Sequence, residues 1–315
     1  MNFGVIGFGS IAKRFAESLK YTSSGKLHAV ASKSLTIGDG SPYKGVKLYR
    51  SYDDILEDAD VEAIYIALPH GMHKEWAIKA LKKRLPVLCE KPAVLTTNDF
   101  DEIKALSKEY NTYFLEALKT KFNDGMFQLK KDLPMAGKLK SINACFCSKP
   151  QNLKETSYLY DPCQGGALYD IGSYLIGFVL ALIGMPVAVT SNINWASGID
   201  THFTASLLYD NGVEAIIEGA IDRKKERLAI IEGSQGIITI PMFNRMDGYN
   251  IELKNGQKLK RSFPIYGDDM TMEIEYFIKG VEKNETDSEA HSLNDSYNII
   301  KVMELIRGQK NNGEC

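Results

Sequence analysis

The stretch with the clearest chemical purpose is a glycine turn near the start of the sequence. Gly7-Phe8-Gly9-Ser10-Ile11-Ala12 has the spacing G-x-G-x-x-A and follows an apolar run that ends at Ile6. In such a turn the first glycine permits a tight bend and the second lets the backbone approach a pyrophosphate. The N–H groups at the start of the following helix attract an anion. The pattern predicts dinucleotide binding by Gly7, Phe8, Gly9, Ser10 and Ile11; a turn without a ligand is the alternative.

A lysine at the end of another buried strand is the leading catalytic candidate. The apolar run Pro86-Val87-Leu88-Cys89 ends at Glu90-Lys91-Pro92. A cation at a strand end can hydrogen-bond a substrate oxygen and favour its ionised form. The Lys91-Pro92 bond is also a candidate for the cis isomer. A solvated lysine at the rim of the sheet is the alternative.

Asp170 and Tyr174 form a second candidate pair, because residues four apart share one face of a helix. A free tyrosine has a pKa of about 10. A lysine about 4 Å from the phenol, at an effective dielectric of about 20, would lower that pKa to about 7. With Lys91 in that position, Tyr174 becomes a workable acid and base, and simple packing is its alternative. Asp170 is assigned to a substrate hydroxyl or to pairing with Lys91, with helix capping as the alternative.

The end of the second predicted strand, residues 27–31, bears on the choice of cofactor. It leads into Ser32-Lys33-Ser34, where a dinucleotide-binding fold contacts the adenosine ribose. An NAD enzyme usually places a carboxylate here, which would repel a 2′-phosphate. Because this segment offers hydroxyls and a cation instead, we expect Ser32 and Lys33 to bind NADP. NAD remains possible if Lys33 is only a solvated loop residue.

A loop containing two histidines follows the next buried strand. We expect Leu68, Pro69, His70 and His73 to line the cofactor together with Glu90 and Lys91. The histidine spacing is loose, and no cysteine or carboxylate pattern accompanies it. The sequence therefore predicts no metal site.

The elements that must position these residues change character near residue 120. Before it, apolar strands alternate with amphipathic helices, which is typical of a doubly wound parallel sheet that binds ligands at the carboxyl ends of its strands. After it, successive strand candidates and hairpin turns at Asp210-Asn211-Gly212 and Asn255-Gly256 predict a largely antiparallel sheet. We expect an α/β protein with a Rossmann domain at 1–119 and an α+β substrate-binding and oligomerisation domain at 120–315.

Composition limits the classes of partner. The chain has 315 residues, 44% hydrophobic and 25% charged, with a net charge of −2, which gives no reason to expect nucleic acid or a membrane surface as a partner. The first core strand is predicted to begin at residue 2, leaving no room for a targeting peptide, so we expect a cytoplasmic protein. The five cysteines show no metal-ligand spacing, and we expect reduced thiols.

Four motifs follow one another along the chain: residues 7–12, Cys89-Glu90-Lys91-Pro92, residues 165–174 (GGALYDIGSY) and residues 232–236 (EGSQG). They occur in the order seen in the glucose-fructose oxidoreductase and inositol dehydrogenase family, which the sequence resembles over nearly its whole length. Within that family, residues 31–34, residues 116–122 and Tyr174 look most similar to the dimeric dihydrodiol dehydrogenase and NADP-dependent xylose dehydrogenase branch.

The resemblance implies an activity and roles for the candidate residues. We expect hydride transfer between a nicotinamide cofactor and a sugar, polyol or related carbonyl or hydroxyl substrate. Lys91, the family's active-site lysine, would polarise the substrate oxygen, Tyr174 would move the proton and Asp170 would orient the substrate. Many family members look to carry histidine where Tyr174 stands.

The resemblance also implies a homodimer or higher homo-oligomer formed through the open face of the second sheet. Two other classes stay open. A redox-cycling glycosidase would keep its dinucleotide tightly bound and cleave a glycoside with no net change in the cofactor. A catalytically silent dinucleotide-binding regulator would keep the glycine turn but would need no acid-base pair.

Overall fold

Two compact units make up the computed structural model, which describes residues 1–33, 43–151 and 157–308. The first unit contains Met1–Ala117 and Tyr266–Ser296, and the second contains Leu118–Ile265 and Tyr297–Cys315. The chain thus leaves the first unit close to the predicted boundary at residue 119. It then returns to that unit for residues 266–296, which the predicted division had placed in the second domain. Ser34 and Cys315 lie outside the described residues.

The first unit is built on a six-stranded sheet with the order β3-β2-β1-β4-β5-β6. Every pairing in this sheet is parallel. The strand order reverses between β1 and β4, the place where doubly wound sheets bind their ligands. The strands are β1 (Asn2–Ile6), β2 (Lys26–Ala31), β3 (Lys47–Tyr49), β4 (Ala63–Ile66), β5 (Val87–Glu90) and β6 (Phe114–Ala117).

Helices connect these strands, and local sequence signals set their ends. The helices are α1 (Ser10–Ser18), α2 (His73–Lys82) and α3 (Thr97–Tyr110). The Thr96 hydroxyl accepts the Asp99 backbone N–H at 3.1 Å and so caps α3 at its first turn. In the core, the Phe15 ring of α1 stacks on Tyr65 of β4 with 3.8 Å between ring centroids. The parallel Rossmann sheet predicted from the sequence is confirmed.

The second unit is built on an eight-stranded sheet with the order β14-β13-β12-β11-β7-β10-β9-β8. Among the described strands, β7 and β10 pair in parallel, and the other neighbours pair antiparallel. The largely antiparallel sheet predicted from the hairpin turns is therefore confirmed. The strands are β7 (Leu139–Cys147), β8 (Ala188–Ala196), β9 (Ile199–Leu208), β10 (Glu214–Ala220), β11 (Leu228–Gly233), β12 (Gly236–Pro241), β13 (Gly248–Leu253) and β14 (Lys258–Ser262).

One face of this sheet is covered by α5 (Ser173–Ile183), while α4 (Asp124–Asp132) precedes β7. Leu175 and Phe178 of α5 are fully buried. A Cβ at Gly219 of β10 would lie 2.4 Å from the Phe203 ring and 3.2 Å from Leu175, so the absence of a side chain there lets helix and sheet approach. The opposite face carries Leu208, Ile216 and Ile237, each about two-fifths exposed.

Two further helices complete the chain, α6 (Thr271–Glu282) and α7 (Leu293–Arg307). Phe277 of α6 lies 5.8 Å from the Phe3 ring and 5.5 Å from the Tyr113 ring, between centroids. These contacts explain why residues 266–296 belong to the first unit.

Among the described residues, no helix is both long and apolar enough to cross a membrane. Cys89, Cys145 and Cys147 are free thiols, as predicted. Cys163 is disulfide-bonded, so the expectation of reduced thiols is wrong at that position.

Candidate active site

The glycine turn has the geometry that its pattern predicts. Gly7 has a φ of +86°, and a Cβ on it would lie 2.4 Å from the carbonyl oxygen of Ala67. A side chain at this position would therefore meet both backbone strain and a backbone atom. Ala12, at the end of the motif, is fully buried where α1 packs on the sheet.

The start of α1 offers a place for an anion. Gly9 is the residue before the helix, and no side chain caps the helix there. A Cβ added to Gly9 would meet no atom within 4 Å, so the space beside this backbone is open. Phe8 and Ile11 are partly exposed, and Ser10 is exposed. Uncapped N–H groups beside open space fit a dinucleotide pyrophosphate.

Two positive side chains lie near the end of β2, one from the segment after β2 and one from the segment after β3. Ser32 is buried, and its backbone N–H donates to the Tyr49 carbonyl at 3.0 Å. Lys33 is exposed, with its Nζ 5.5 Å from the centroid of the Tyr52 ring. Arg50 approaches from the end of β3 and donates to the Lys33 carbonyl oxygen at 3.4 Å. Sequence reasoning missed Arg50, because it belongs to a strand too short to be recognised.

Lys91 lies in a buried turn directly after β5. Its peptide bond to Pro92 is cis, and only 8% of the lysine surface is exposed. Glu90, also buried, accepts the Tyr65 hydroxyl at 2.5 Å through one oxygen and the Lys91 backbone N–H at 3.3 Å through the other. The alternative that Lys91 is a solvated lysine at the rim of the sheet is therefore wrong, because its side chain is buried. A buried lysine requires polar partners for its charge.

His73 holds this turn from α2. One ring nitrogen lies 2.9 Å from the Pro92 carbonyl oxygen and the other 2.8 Å from the Leu68 carbonyl oxygen. Burial lowers the pKa of His73. A neutral imidazole carries one N–H, so His73 donates a hydrogen bond to one of these two carbonyl oxygens and packs against the other. His73 thereby clamps the Lys91 turn against the end of β4. His70 is buried beside it, with 5.9 Å between ring centroids.

A second clamp comes from the buried carboxylate of Glu116 in β6. It accepts the backbone N–H of Ala93 at 2.9 Å, and its other oxygen lies 2.9 Å from Nε2 of His291. Burial by itself raises the Glu116 pKa, but the hydrogen bonds from His291, Ser296 and Ala93 outweigh burial and lower it. Glu116 thus stays ionised and fixes the chain two residues after Lys91.

In the second unit, Asp170 and Tyr174 lie near the start of the long helix that ends at Ile183. That helix is not uniform: Leu168–Gly172 form a π-helical turn, and the α-helix α5 begins at Ser173. Both candidate side chains are partly exposed. Irregular turns of this kind are frequent at functional sites because they re-aim side chains.

Asp200 of β9 fixes where this turn begins. Its carboxylate accepts the Leu168 backbone N–H at 2.6 Å. Gly166 has a φ of +99°, and a Cβ there would lie 2.1 Å from the Asp200 carboxylate oxygen. Burial raises the pKa of Asp200 to about 6. Sequence reasoning missed this residue because it lies 32 residues beyond Leu168, whose N–H it accepts.

Positive charge surrounds the Tyr174 ring within the second unit. The Lys119 Nζ is 5.9 Å from the ring centroid, and the Phe146 ring lies 5.8 Å away. The Arg227 guanidinium stacks 4.2 Å from the Phe146 centroid and interacts electrostatically with Tyr174. Arg227 directly precedes β11 and belongs to no recognisable motif, so it could not be predicted as a site residue from the sequence.

The structure thus gathers the predicted residues in two sets. Those of the first unit all follow the carboxyl ends of its strands: the glycine turn, Ser32 and Lys33, residues 68–73, and Glu90 with Lys91. Asp170 and Tyr174 belong to the second unit. The pairing of Lys91 with Tyr174 or Asp170 joins the two units and stays a prediction.

A doubly wound sheet with a glycine turn, followed by an α+β unit with a large open sheet, defines a two-domain dinucleotide-binding protein. Residues 1–117 match the model of an oxidoreductase family with an NAD-binding Rossmann fold, and residues 135–239 match the GFO/IDH/MocA C-terminal domain. The chain belongs to this GFO/IDH/MocA family of NAD(P)-dependent oxidoreductases. The resemblance identified from the four motifs is confirmed.

Characterised relatives cover almost the whole chain. This chain is 29% identical to an NADP(+)-dependent scyllo-inositol 2-dehydrogenase of Bacillus subtilis, over 98% of this chain and 97% of the relative. It is 25% identical to a trans-1,2-dihydrobenzene-1,2-diol dehydrogenase of Xenopus laevis, over 96% of both chains.

Solved structures share the fold. A 3-ketoreductase from Actinomadura kijaniata, in complex with NADP and TDP-benzene, matches with a TM-score of 0.86 at 22% identity, over 98% of this chain and 97% of that chain.

Proposed function

We propose that this protein is an NADP-preferring dehydrogenase that interconverts a CH–OH group and a carbonyl on a polyol or sugar-like substrate. The observation that carries the proposal is the buried Lys91 at the end of β5, in a turn that His73 contacts at Pro92 and Glu116 contacts at Ala93. A buried cation fixed at a strand end contributes nothing to solubility, but it is placed to bind the oxygen of a substrate. The substrate class also follows the names of the relatives.

The residues present fit the cofactor. Gly7, Gly9 and the start of α1 would hold the pyrophosphate, while Ser32, Lys33 and Arg50 would hold the 2′-phosphate. Two cations at this position favour NADP, because the additional phosphate carries negative charge. Bound NADP supplies the acceptor or donor of the hydride.

The protein's own residues would hold the substrate and its proton. Lys91 donates a hydrogen bond to the reacting oxygen and stabilises the negative charge that develops there. Tyr174 takes or returns the proton at its phenol oxygen, and the positive charge of Lys119 and Arg227 favours that transfer. Asp170 accepts a hydrogen bond from a second substrate hydroxyl, which orients a polyol.

We also propose that two copies associate through the open face of the second sheet. Leu208, Ile216 and Ile237 are exposed on that face, and no helix of the second unit packs there among the described residues. Large exposed aliphatic side chains on one face are typical of a contact between subunits. A cytoplasmic location remains a prediction from the sequence.

The experiment combines binding and turnover. NADPH and NADH are titrated by fluorescence, and the protein is then assayed with inositols, aldoses and their oxidised forms, while sugars released from glycosides are measured separately. We expect tighter binding of NADPH and net cofactor turnover with at least one polyol or sugar. Glycoside cleavage with no net turnover would favour the glycosidase alternative. Cofactor binding without any chemistry would favour the silent regulator.

Two variants test the roles. Lys91→Met and Tyr174→Phe should each lower kcat about 10²- to 10³-fold while leaving NADPH affinity within about twofold, since both act on the reacting oxygen or proton. The exposed Lys108 of α3 provides the matched control, and Lys108→Met should keep full activity. Activity that survives Lys91→Met would contradict the proposed role.

A further inference from the structure

A cluster of metal-ligating side chains lies on the open face of the second sheet. Cys145 and Cys147 of β7 have their Sγ atoms 3.7 Å apart. The Cys145 Sγ is 3.9 Å from Oε2 of Glu218 in β10, and His202 Nε2 of β9 is 3.0 Å from Oε1 of the same carboxylate. None of these residues has a role in the proposed dehydrogenase chemistry.

Strand register explains why the four side chains lie on one face of the sheet. Cys145 stands opposite Glu218, and Cys147 stands opposite Ala220, which in turn stands opposite His202. Because side chains alternate across a strand, all of them point to the same face. The small Ala220 lies between Cys147 and His202 in the sheet.

We propose that Cys145, Cys147 and Glu218 bind a zinc-type divalent cation, with His202 as the fourth ligand. Zinc takes thiolate, carboxylate and imidazole ligands in a tetrahedron. With Zn–S near 2.3 Å and Zn–O near 2.0 Å, a tetrahedron places two sulfurs about 3.8 Å apart and a sulfur and an oxygen about 3.5 Å apart. The observed 3.7 Å and 3.9 Å are close to these values. The sheet thus already holds three ligand atoms near their coordinating positions.

Lys225 forms an ion pair with Glu218 and would compete with a metal ion for this carboxylate. Its Nζ lies 2.7 Å and 2.9 Å from the two Glu218 oxygens, and half of its side-chain surface is exposed. An ion pair this exposed contributes little and can be displaced by a divalent cation. Removing Lys225 should therefore strengthen binding, an effect that a purely structural role of the cluster would not produce.

A divalent cation deprotonates the thiols that coordinate it, so both cysteines would bind as thiolates.

The test is a titration of the reduced full-length protein with Co²⁺, which substitutes for zinc and reports thiolate ligands by a charge-transfer band in the near ultraviolet. We expect this band, saturation at one ion per chain and its loss when Zn²⁺ is added. Cys145→Ser and Cys147→Ser should abolish the band, while Cys163→Ser, a cysteine outside the cluster, should keep it. His202→Ala should weaken binding at least tenfold.

Lys225→Met keeps every ligand and provides the decisive variant, with an expected gain of at least threefold in Co²⁺ affinity. NADPH binding and circular dichroism check that each variant is folded. Absence of the band in the reduced wild-type protein would overturn the proposal. So would a band that persists in both Cys145→Ser and Cys147→Ser, or an affinity that Lys225→Met leaves unchanged.

Discussion

The two units place their candidate residues in different ways. In the first, the glycine turn, Lys33, the loop at His70 and Lys91 each follow directly the end of a parallel strand. In the second, Asp170 and Tyr174 lie on a π-helical turn whose start is fixed by Asp200 from a distant strand. A parallel sheet brings strand ends to one edge by its construction, whereas the second site depends on contacts between segments far apart in sequence.

The largest expected effects come from two glycines at positive φ, Gly7 and Gly166, where an added Cβ would clash with a neighbouring oxygen. Gly7→Ala places a Cβ against the Ala67 carbonyl at positive φ, and should abolish NADPH binding and cost about 3 kcal/mol of unfolding free energy. Gly166→Ala instead places a Cβ against Asp200 in the second unit. We expect that variant to bind NADPH normally but to lose about 10²-fold in kcat.

Gly9→Ala is the matched control, because its Cβ would meet no atom. Its unfolding midpoint should equal that of the wild type, while NADPH affinity falls as the added methyl group occupies the open space. Fluorescence titration and urea unfolding measure both quantities. If Gly166→Ala impairs NADPH binding as strongly as Gly7→Ala, the division of roles between the units is wrong.

A smaller effect concerns the pH dependence of Asp200. Its pKa is raised from 3.8 to about 6 by burial, so its contribution to stability is fully present below pH 3.8 and is lost as the pH rises through 6. The unfolding free energy of the wild type, relative to Asp200→Asn, should therefore fall by up to about 3 kcal/mol between pH 3.5 and pH 7. Urea unfolding across this range measures the difference.

The contribution of Asp58, in the first unit, to stability depends on pH with the opposite sign. Burial raises its pKa, but the Asp60 backbone N–H, the Tyr49 hydroxyl and Lys47 outweigh burial and lower it to about 2. Its contribution is present above pH 3.8 and is lost as the pH falls through 2. The difference in unfolding free energy between the wild type and Asp58→Asn should therefore become smaller as the pH falls. Parallel pH curves for the two variants would refute this contrast.

The smallest effect is the change of cofactor preference. Lys33→Asp should weaken NADPH binding about tenfold or more and leave NADH binding within about twofold, because a carboxylate repels the 2′-phosphate. Lys26→Asp at the opposite end of β2 is the matched control and should change neither affinity. Equal losses for NADPH and NADH would remove Lys33 from the phosphate site.

Much of the first unit could be predicted from the sequence. Continuous apolar strands ending in Gly7, Ser32, Leu68 and Lys91 specified both the sheet and the edge where ligands bind. The return of residues 266–296 could not be predicted, because a helix such as α6 shows only that one face is apolar, not which surface that face covers. Phe277 reaches Phe3 and Tyr113 only in the folded chain.

In the second unit the strands, the hairpins and the pair Asp170 and Tyr174 could be predicted from the sequence, but the surroundings of that pair could not. A spacing of four residues predicts a shared helical face from backbone geometry alone. It cannot show that Asp200 caps the turn or that Arg227 interacts with Tyr174.

What the sequence by itself determined is therefore local: the glycine turn, the alternation of strand and helix, and the chemical types at the strand ends. These follow from backbone conformation over a few residues. Only the tertiary structure decided that Glu116 and His73 clamp the Lys91 turn and that Cys145, Cys147 and Glu218 meet on one face. Those contacts depend on strand order and register, which are set by packing across the whole sheet.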